Sequence, residues 1–416
     1  MTSRPWLVWT AFLLVHAIVA AAGWLLPSQP MGDVVLVYQP WSQAALSGGA
    51  IVGVTESWVY PQLALLPMMA AHVLALPFVP LMGGPGAYLV GWAVLVTACD
   101  ALGLAVLLRG RGPHRRSAAW FWVAALLLLG PIAMYRIDAI TVPLALAGGL
   151  WLASHPRVGA AALAVGAWIK IWPGALLIAA IAAGRRALQL LVSAAAVSAG
   201  IVVSLLALGA GERLLGFVTA QTGRGLQIEA VAATPFLWAA VRGDARIEYS
   251  FDILTFQVEA KGASAVAAAT TPAMVIAVAA ILLLGILRAR RGAAWTRLLP
   301  PLALALIAAL IVTNRVGSPQ FTTWLIAPAM LWIVFDHARA HTPTALVLLL
   351  CALTFCIYPL TYDGLLAAHP VPVLLLTVRN AMLVVTLVIA VLAVLRTPIS
   401  PLTRSTIEDR TSTSRR

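Results

Sequence analysis

The chain has 416 residues, of which 62% are hydrophobic and only 10% are charged. A soluble globular domain carries roughly 25% charged residues, so this composition excludes a soluble enzyme, a disordered chain and a secreted disulfide scaffold. The net charge of +13 does not indicate nucleic-acid binding, because most arginines lie in short loops between apolar segments. The three cysteines, Cys99, Cys351 and Cys356, lie within apolar runs and lack metal-ligand spacing.

Apolar segments in chain order predict an all-α polytopic membrane protein with about twelve transmembrane helices, each needing about 20 apolar residues. The clear candidates are 6–26, 86–108, 187–208, 267–287, 343–362 and 371–395. The less regular candidates are 118–133, 140–153, 157–169, 173–184, 298–313 and 321–335. Segments 157–169 and 173–184 are too short to cross straight through, and they form either two short passes or one re-entrant hairpin.

The apolar segment 60–80 is not counted, because four prolines interrupt it and a proline in a helix interior costs about 3 kcal/mol. It is predicted to be an interfacial or re-entrant piece. With both ends in the cytoplasm, 18 of the 27 basic residues lie on the inner side, as the positive-inside rule requires. The first span is expected to be retained rather than cleaved as a signal peptide.

This map predicts an integral membrane domain over 1–395, with two long extracytoplasmic loops at about 27–85 and 209–266 that carry interfacial helices. The remaining residues, 396–416, are rich in Ser, Thr and Arg. That composition predicts a disordered basic tail on the cytoplasmic side.

Several charged residues lie where the map predicts the outer membrane boundary. Asp33 could act as a general base on an acceptor hydroxyl, or it could be a solvated loop acid or a helix N-cap. Arg136 and Asp138 lie between two apolar runs, where ionisable groups are expensive and often functional; a structural ion pair is the alternative. Lys170, close to Trp172 and a proline, would suit a lipid-borne phosphate or could snorkel to the interface.

The second outer loop contains more polar groups. Gln221, Arg224 and Gln227 would share one face if their segment were helical, and arginine presents a rigid fork to phosphate oxygens. Arg315 lies at another outer helix junction. Together these residues predict an outward cavity with several cations and few acids, which suits an anionic lipid ligand.

Three ionisable residues fall inside predicted spans. His16 and Asp100 could form a helix–helix hydrogen bond or serve as relay groups of a transporter. Arg379, in the last span, could reach the outer cavity or pair with an acid. The sequence contains no phosphate-binding glycine loop and no soluble nucleotide domain. An activated group must therefore come from elsewhere, and a lipid-linked donor already in the bilayer would supply it.

Five short pieces of the sequence occur together: Gly32-Asp33, Tyr60-Pro61, Lys170 with Pro173, Gln221 to Glu229, and Ser318-Pro319-Gln320. On these pieces the chain resembles glycosyltransferase family 87, the polyprenyl-phosphate-dependent enzymes with the C-type membrane fold that are commonest in actinobacteria. The resemblance covers nearly the whole chain. Gln62 departs from the family pattern, in which a second proline is expected.

The resemblance implies transfer of a hexose, with mannose expected, from a polyprenyl-phosphate sugar to a cell-envelope glycolipid or glycan on the outer face of the membrane. The product would be an α-glycoside formed by inversion; related enzymes use a lipid-linked arabinose. No metal or other cofactor is expected, because cationic side chains can balance one phosphate.

The resemblance also implies a role for each matching residue. Asp33 would be the catalytic base. The expected donor-phosphate ligands are Lys170, Arg224 and Arg315, together with Arg136, which is expected from its place at the floor of the predicted outward cavity and not from the resemblance. The expected substrate-binding residues are Tyr38, Tyr60, Gln221, Gln227, Glu229, Gln320 and Trp172.

Two other functions remain open, namely a membrane transporter or lipid-linked sugar flippase, and a structural subunit without activity. Transporters often consist of two halves with matching broken helices. The sequence shows no such halves, and its long loops all fall on one face.

The arginine distribution makes a topology prediction. Single cysteines placed at positions 33, 60 and 224 of a cysteine-free variant should react with an impermeant maleimide in intact cells. Cysteines at positions 112, 292 and 405 should react only after lysis. Labelling of position 112 but not of position 224 in intact cells would reverse the map.

Overall fold

The computed structural model describes residues 5–110, 112–184, 186–219, 224–250 and 255–399. Its first nine α-helices are α1 (Pro5–Leu25), α2 (Gln39–Leu46), α3 (Leu65–Ala75), α4 (Val79–Arg109), α5 (Arg115–Leu129), α6 (Asp138–Ser154), α7 (Pro156–Ile169), α8 (Pro173–Ala182) and α9 (Ala187–Ala207). The later ones are α10 (Gly216–Thr219), α11 (Thr234–Val241), α12 (Ala263–Arg290), α13 (Trp295–Val312), α14 (Ile326–Phe335), α15 (His337–Phe355), α16 (Tyr362–Leu366) and α17 (Pro370–Leu395).

Within the described ranges, eight helical segments are long and apolar enough to cross a membrane. They are Trp6–Leu25, Gln62–Arg109, Arg115–Ala133, Ala187–Ala207, Ala263–Arg290, Trp295–Val312, His337–Leu360 and Pro370–Leu395. Shorter apolar helices cover Asp138–Ser154, Pro156–Ile169, Pro173–Ala182, Val231–Val241 and Pro319–Phe335. The chain is therefore a helical, membrane-embedded protein.

The proline-rich segment 60–80 is more helical than its sequence suggests. α3 is followed by a short 3₁₀ turn and then by α4, which breaks at Gly83, where φ is 71°. Beyond this break α4 packs back against α3, and a Cβ on Gly91 would lie only 2.4 Å from the Ala71 carbonyl oxygen. Prolines at the helix starts, where no backbone donor is needed, allow this hairpin to form.

The two shortest predicted segments are separate helices, α7 and α8. Lys170 interrupts them with extended backbone, φ −150° and ψ 133°. α7 lies close against α6, because a Cβ on Gly159 would come within 2.7 Å of the Gly148 carbonyl oxygen. Close backbone approach at small residues is a usual way of packing helices in lipid, where burial of apolar surface supplies no driving force.

The arginine-bearing loops meet at one end of the bundle, which we call the arginine-rich end. Their side chains bond the last carbonyls of neighbouring helices, where positive charge is favourable. The contacts that join them are Arg115 Nη1 to Leu107 O at 2.9 Å, Arg339 Nη2 to Ala393 O at 2.6 Å, Arg288 Nη2 to Thr397 O, and the stacked rings of His114 and His337 at 4.1 Å.

Two features were not anticipated by the all-α prediction. Strands β1 (Arg246–Ser250) and β2 (Thr255–Glu259) form an antiparallel hairpin that pairs Arg246 with Glu259 and Ser250 with Thr255. The predicted helical face of the second loop is wrong: residues 224–230 are not helical, and Gln227 forms a β-bridge with Gln257. Gln221 lies outside the described residues.

The start of the predicted tail is packed against the protein. Thr397 is fully buried, and Ile399 forms a β-bridge with Ala293 in the turn between α12 and α13. The disorder predicted from residue 396 onward is therefore wrong for 396–399. The remainder, 400–416, lies outside the described residues.

His16 and Asp100 meet between α1 and α4. His16 Nε2 lies 3.1 Å from Asp100 Oδ2, and His16 Nδ1 lies 2.9 Å from the Phe12 carbonyl oxygen. Both side chains are buried. The predicted helix–helix hydrogen bond is confirmed.

Candidate functional site

At the end of the bundle opposite the arginine-rich end, Arg136 joins three segments of the chain. Its Nε lies 3.3 Å from Asp33 Oδ2, and its Nη1 donates to the carbonyl oxygens of Pro30 and Tyr135, each at 2.8 Å. Its Nη2 donates to the Tyr358 hydroxyl at 3.3 Å. The guanidinium is buried, whereas the Asp33 side chain is 39% exposed.

Local packing fixes the position of Arg136. The preceding residue, Tyr135, lies so close to α1 that a Cβ on Gly23 would come within 2.4 Å of its ring. The Tyr135 hydroxyl also donates to the Ala20 carbonyl oxygen at 3.2 Å. The glycine therefore lets the segment before α6 seat against the end of α1, next to the loop that carries Asp33.

A second ion pair lies deeper. Lys170 Nζ is 3.5 Å from Asp138 Oδ2, and the Asp138 side chain is completely buried. Trp324 Nε1 donates to the other carboxylate oxygen of Asp138 at 2.5 Å. Lys170 does not snorkel to the surface, since its side chain is only 10% exposed.

The predicted pairing of Arg136 with Asp138 is wrong. The two residues are two positions apart at the start of α6, and each pairs with a partner from a distant part of the chain. The helix N-cap interpretation of Asp33 is also wrong, because its side chain makes no capping hydrogen bond to the following turn.

Tyr60 connects the predicted site residues. Lys170 Nζ lies over its ring, 4.3 Å from the centroid, as in a cation–π contact. Burial is the largest effect on the pKa of Tyr60 and raises it. The positive charge of Lys170 lowers this pKa, and the negative charge of Asp33 raises it. Burial lowers the pKa of Arg224, which the nearby Tyr60 opposes. Lys170 thus contacts the Tyr60 ring directly, and Asp33 and Arg224 are coupled to the same phenol electrostatically.

Two further predicted residues support this region from inside. Tyr38 is fully buried, and its hydroxyl accepts a hydrogen bond from the Ile137 backbone N–H at 3.2 Å. Trp172 Nε1 donates to Thr141 Oγ1 at 2.9 Å, and its ring stacks on Trp324 at 6.3 Å. Their burial and contacts indicate structural support for the ion pairs.

Arg315 supports Arg224. Its Nη1 donates to the Arg224 carbonyl oxygen at 3.4 Å, and its Nη2 donates to Thr271 Oγ1 at 2.6 Å. The Arg315 carbonyl oxygen in turn accepts from the Gln227 backbone N–H at 3.0 Å. Arg315 therefore fixes the loop that presents Arg224.

Glu229 forms a buried ion pair with Arg379. Arg379 Nη2 lies 3.0 Å from Glu229 Oε2, and both side chains are at most 3% exposed. Burial raises the pKa of the Glu229 carboxyl, while Arg379 acts in the opposite direction. Of the two roles predicted for Arg379, pairing with an acid is confirmed, and this pair attaches the second loop to α17.

Gln227 and Gln320 are buried amides with incomplete hydrogen bonding. Gln227 Nε2 and Gln320 Oε1 both lack a hydrogen-bond partner within the described part of the chain. An unpaired buried polar group is costly. The structure places Gln320 in the 3₁₀ turn Pro319–Leu325, just before α14.

One site residue, Tyr358, was missed in the sequence. Tyr358 bonds Arg136 and lies in the irregular segment Cys356–Leu360. The Tyr358-Pro359 pair interrupts an apolar run, and this signal could have marked a break in the helix. Nothing in the sequence pairs Trp324 with Asp138.

The described residues contain no group of three or more His, Cys, Asp or Glu side chains placed to hold a metal ion. No family model matches the chain, and no curated protein is significantly similar to it.

The Glu229–Arg379 pair makes a stability prediction. Arg379→Met should destabilise the protein by about 3–5 kcal/mol, because it leaves a carboxylate buried without its partner. Thermal unfolding of the purified full chain in detergent measures this loss. Since burial raises the pKa of Glu229, the loss should shrink as the pH is lowered and the carboxyl becomes protonated.

The matched control is Arg242→Met, which breaks the exposed pair with Asp244, whose side chains are 62% and 69% exposed. An exposed pair contributes about 0–1 kcal/mol. The double variant Glu229→Gln/Arg379→Met should recover most of the lost stability. An Arg379→Met protein as stable as the Arg242→Met control would contradict the assignment.

Proposed function

We propose that the protein is a membrane glycosyltransferase that moves a hexose, expected to be mannose, from a polyprenyl-phosphate donor to a hydroxyl of a cell-envelope glycolipid or glycan. The observation that carries the proposal is the partly exposed Asp33 carboxylate held by buried Arg136. Around Tyr60 it shares one region with Lys170 and Arg224. A base and cations for a phosphate are the groups that this transfer requires.

The arrangement in the membrane supports a donor drawn from the bilayer. We propose twelve passes, in which the shorter apolar helices also cross, with C-type architecture and both termini in the cytoplasm. The proposed passes are α1, α4, α5, α6, α7, α8, α9, α12, α13, Pro319–Phe335, α15 and α17. The arginine-rich end is then cytoplasmic, and Asp33 faces the extracytoplasmic side, where the acceptor hydroxyl and the donor phosphate can meet at the membrane surface.

In the proposed reaction Asp33 accepts the proton of the acceptor hydroxyl as its oxygen attacks the anomeric carbon of the donor sugar. The bond between that carbon and the phosphate oxygen breaks, and polyprenyl phosphate leaves with the electron pair and one more negative charge. Attack opposite the leaving group inverts the anomeric centre, so a β-linked donor gives an α-glycoside. The proton on Asp33 then passes to solvent.

The four predicted phosphate ligands are not equivalent. Arg136 and Lys170 already neutralise Asp33 and Asp138. We propose half-buried Arg224, which belongs to one of the pieces that carry the resemblance, as the main ligand of the donor phosphate, with Arg315 fixing its backbone. Preorganised cations of this kind stabilise the negative charge that develops on a leaving group. Lys170, on the face of the Tyr60 ring, contributes to the same electrostatic stabilisation.

Transport of a lipid-linked sugar remains the second candidate, and the buried His16–Asp100 pair within α1 and α4 is the observation that favours it. The two functions differ in product. An enzyme forms a new glycosidic bond with purified protein in detergent, where a flippase has no membrane to act across.

We expect Asp33→Asn to lower turnover by about 10²–10⁴-fold, the usual contribution of a positioned base, while donor binding persists. The change keeps the size of the side chain and removes the proton acceptor. The measurement is transfer from radiolabelled polyprenyl-phosphate mannose to cell-envelope lipid extract. Glu56→Gln is the matched control, because Glu56 is an exposed carboxylate of the same outer loop.

Glu56 and Asp138 are the two other carboxylates that could serve as the base, and Asp138→Asn tests the second of them. Asp138 is completely buried and bonded to Trp324, so it cannot reach an acceptor. If Asp33→Asn keeps more than about a tenth of wild-type turnover, its loss is smaller than the contribution of a positioned base. That result, together with an inactive Glu56→Gln or Asp138→Asn variant, would show that the base lies elsewhere.

Arg224→Ala should raise the donor KM by roughly 10- to 150-fold, because a hydrogen bond to a charged group contributes about 1.5–3 kcal/mol. Donor titrations with the purified protein measure this change. Arg242→Ala, which removes an exposed arginine after α11, should leave the donor KM unchanged. A wild-type donor KM in Arg224→Ala would exclude this residue as the phosphate ligand.

A further inference from the structure

The loop that carries Asp33 begins with a strained turn. Ser28 and Gln29 have positive φ values of 57° and 47°, and neither is glycine. In this region the Cβ of an L-residue comes too close to the following carbonyl oxygen. Such residues persist only where their surroundings over-determine the conformation, and they often lie at functional sites.

The contacts that hold this turn come from the far end of the chain. The Tyr358 hydroxyl lies 3.0 Å from the Ser28 carbonyl oxygen and 3.2 Å from that of Gln29. Ser28 Oγ donates to Asp363 Oδ1 at 3.1 Å. Tyr358 follows Ser28 by 330 residues, so the turn is fixed by tertiary structure and not by its own sequence.

The same hydroxyl also contacts the group that orients Asp33. Arg136 Nη2 donates to Tyr358 at 3.3 Å, while Arg136 Nε pairs with the Asp33 carboxylate. Tyr358 itself is 7% exposed and makes no hydrogen bond to Asp33 among the described residues. The Tyr358 hydroxyl thus contacts both the turn that begins the Asp33 loop and the Arg136 guanidinium that pairs with Asp33.

We propose that Tyr358 is a positioning residue for Asp33, since its hydroxyl locks the Ser28–Gln29 turn and Arg136 into one geometry. The carboxylate is thereby held in a single direction toward the acceptor hydroxyl. The consequence for turnover rests on the proposed function, whereas the geometric effect on Asp33 does not.

The test removes only the hydroxyl, by Tyr358→Phe in the full chain. We expect kcat to fall about 3- to 10-fold, the value of a single hydrogen bond, with the donor KM unchanged. A purely structural role would change kcat and KM together; that result, or a wild-type kcat, would overturn the proposal.

Tyr362→Phe is the matched control. The Tyr362 ring packs on Tyr358 at 4.8 Å and 86°, but its hydroxyl makes no hydrogen bond to any described residue. This variant should keep wild-type kcat. An equal loss in Tyr358→Phe and Tyr362→Phe would assign the effect to ring packing and contradict the role of the hydroxyl.

A second-site change tests the strained turn directly. Glycine adopts positive φ without the Cβ penalty, so Gln29→Gly should hold the turn even without the Tyr358 hydroxyl. The double variant Gln29→Gly/Tyr358→Phe should recover at least half of the lost kcat. No recovery would show that the turn is not what Tyr358 controls.

A chemical readout separates this proposal from the proposed function. Carbodiimide with a small amine modifies accessible carboxylates, and mass spectrometry quantifies the product at Asp33. We expect several-fold faster modification in Tyr358→Phe than in wild type or Tyr362→Phe. If the wild-type protein transfers no sugar, the proposed function fails, and the labelling alone then tests whether Tyr358 positions Asp33. Equal labelling in all three proteins would overturn that role of Tyr358.

Discussion

The burial of the Arg136 guanidinium is the constraint on which the functional end of the bundle depends. A guanidinium cannot lose its charge in a protein, and a charge removed from water must be paired and fully hydrogen-bonded. Arg136 therefore pairs with a carboxylate and donates hydrogen bonds to two backbone carbonyl oxygens and a hydroxyl. Those partners belong to the loop after α1, to the segment of Arg136 itself and to the irregular segment Cys356–Leu360 after α15. One desolvated cation therefore determines how these three regions meet.

The other buried charges follow the same rule. Lys170 pairs with Asp138, and Arg379 pairs with Glu229. Each pair links a helix break or loop to a long helix, and each cation is neutralised by a carboxylate from a distant segment. The outcome differs from the predicted cavity of cations with few acids.

The helices could be predicted from the sequence because their periodic backbone must satisfy its own hydrogen bonds in lipid, and the length of each apolar run sets their bounds. The region of the site was also predictable, since Asp33, Arg136 and Lys170 are costly residues at apolar boundaries. Their partners were not, because Arg136 and Asp138 are near neighbours in sequence that turn to different segments. The β-hairpin and the extended stretch after Arg224 depend on pairing between residues 226–228 and β2, which no local pattern reveals.

The Ser28–Gln29 turn, which Tyr358 and Asp363 hold through hydrogen bonds, also has a consequence for biosynthesis. A membrane chain is synthesised from its N-terminus, and its early helices are inserted before its late ones exist. Contacts between residues so far apart in sequence are also slow to form. The Asp33 loop, although it follows the first helix, therefore waits for Tyr358 and Asp363 before its left-handed turn is held. The nascent protein carries its proposed base from the start, yet it acquires an ordered site only when the last helices reach the membrane.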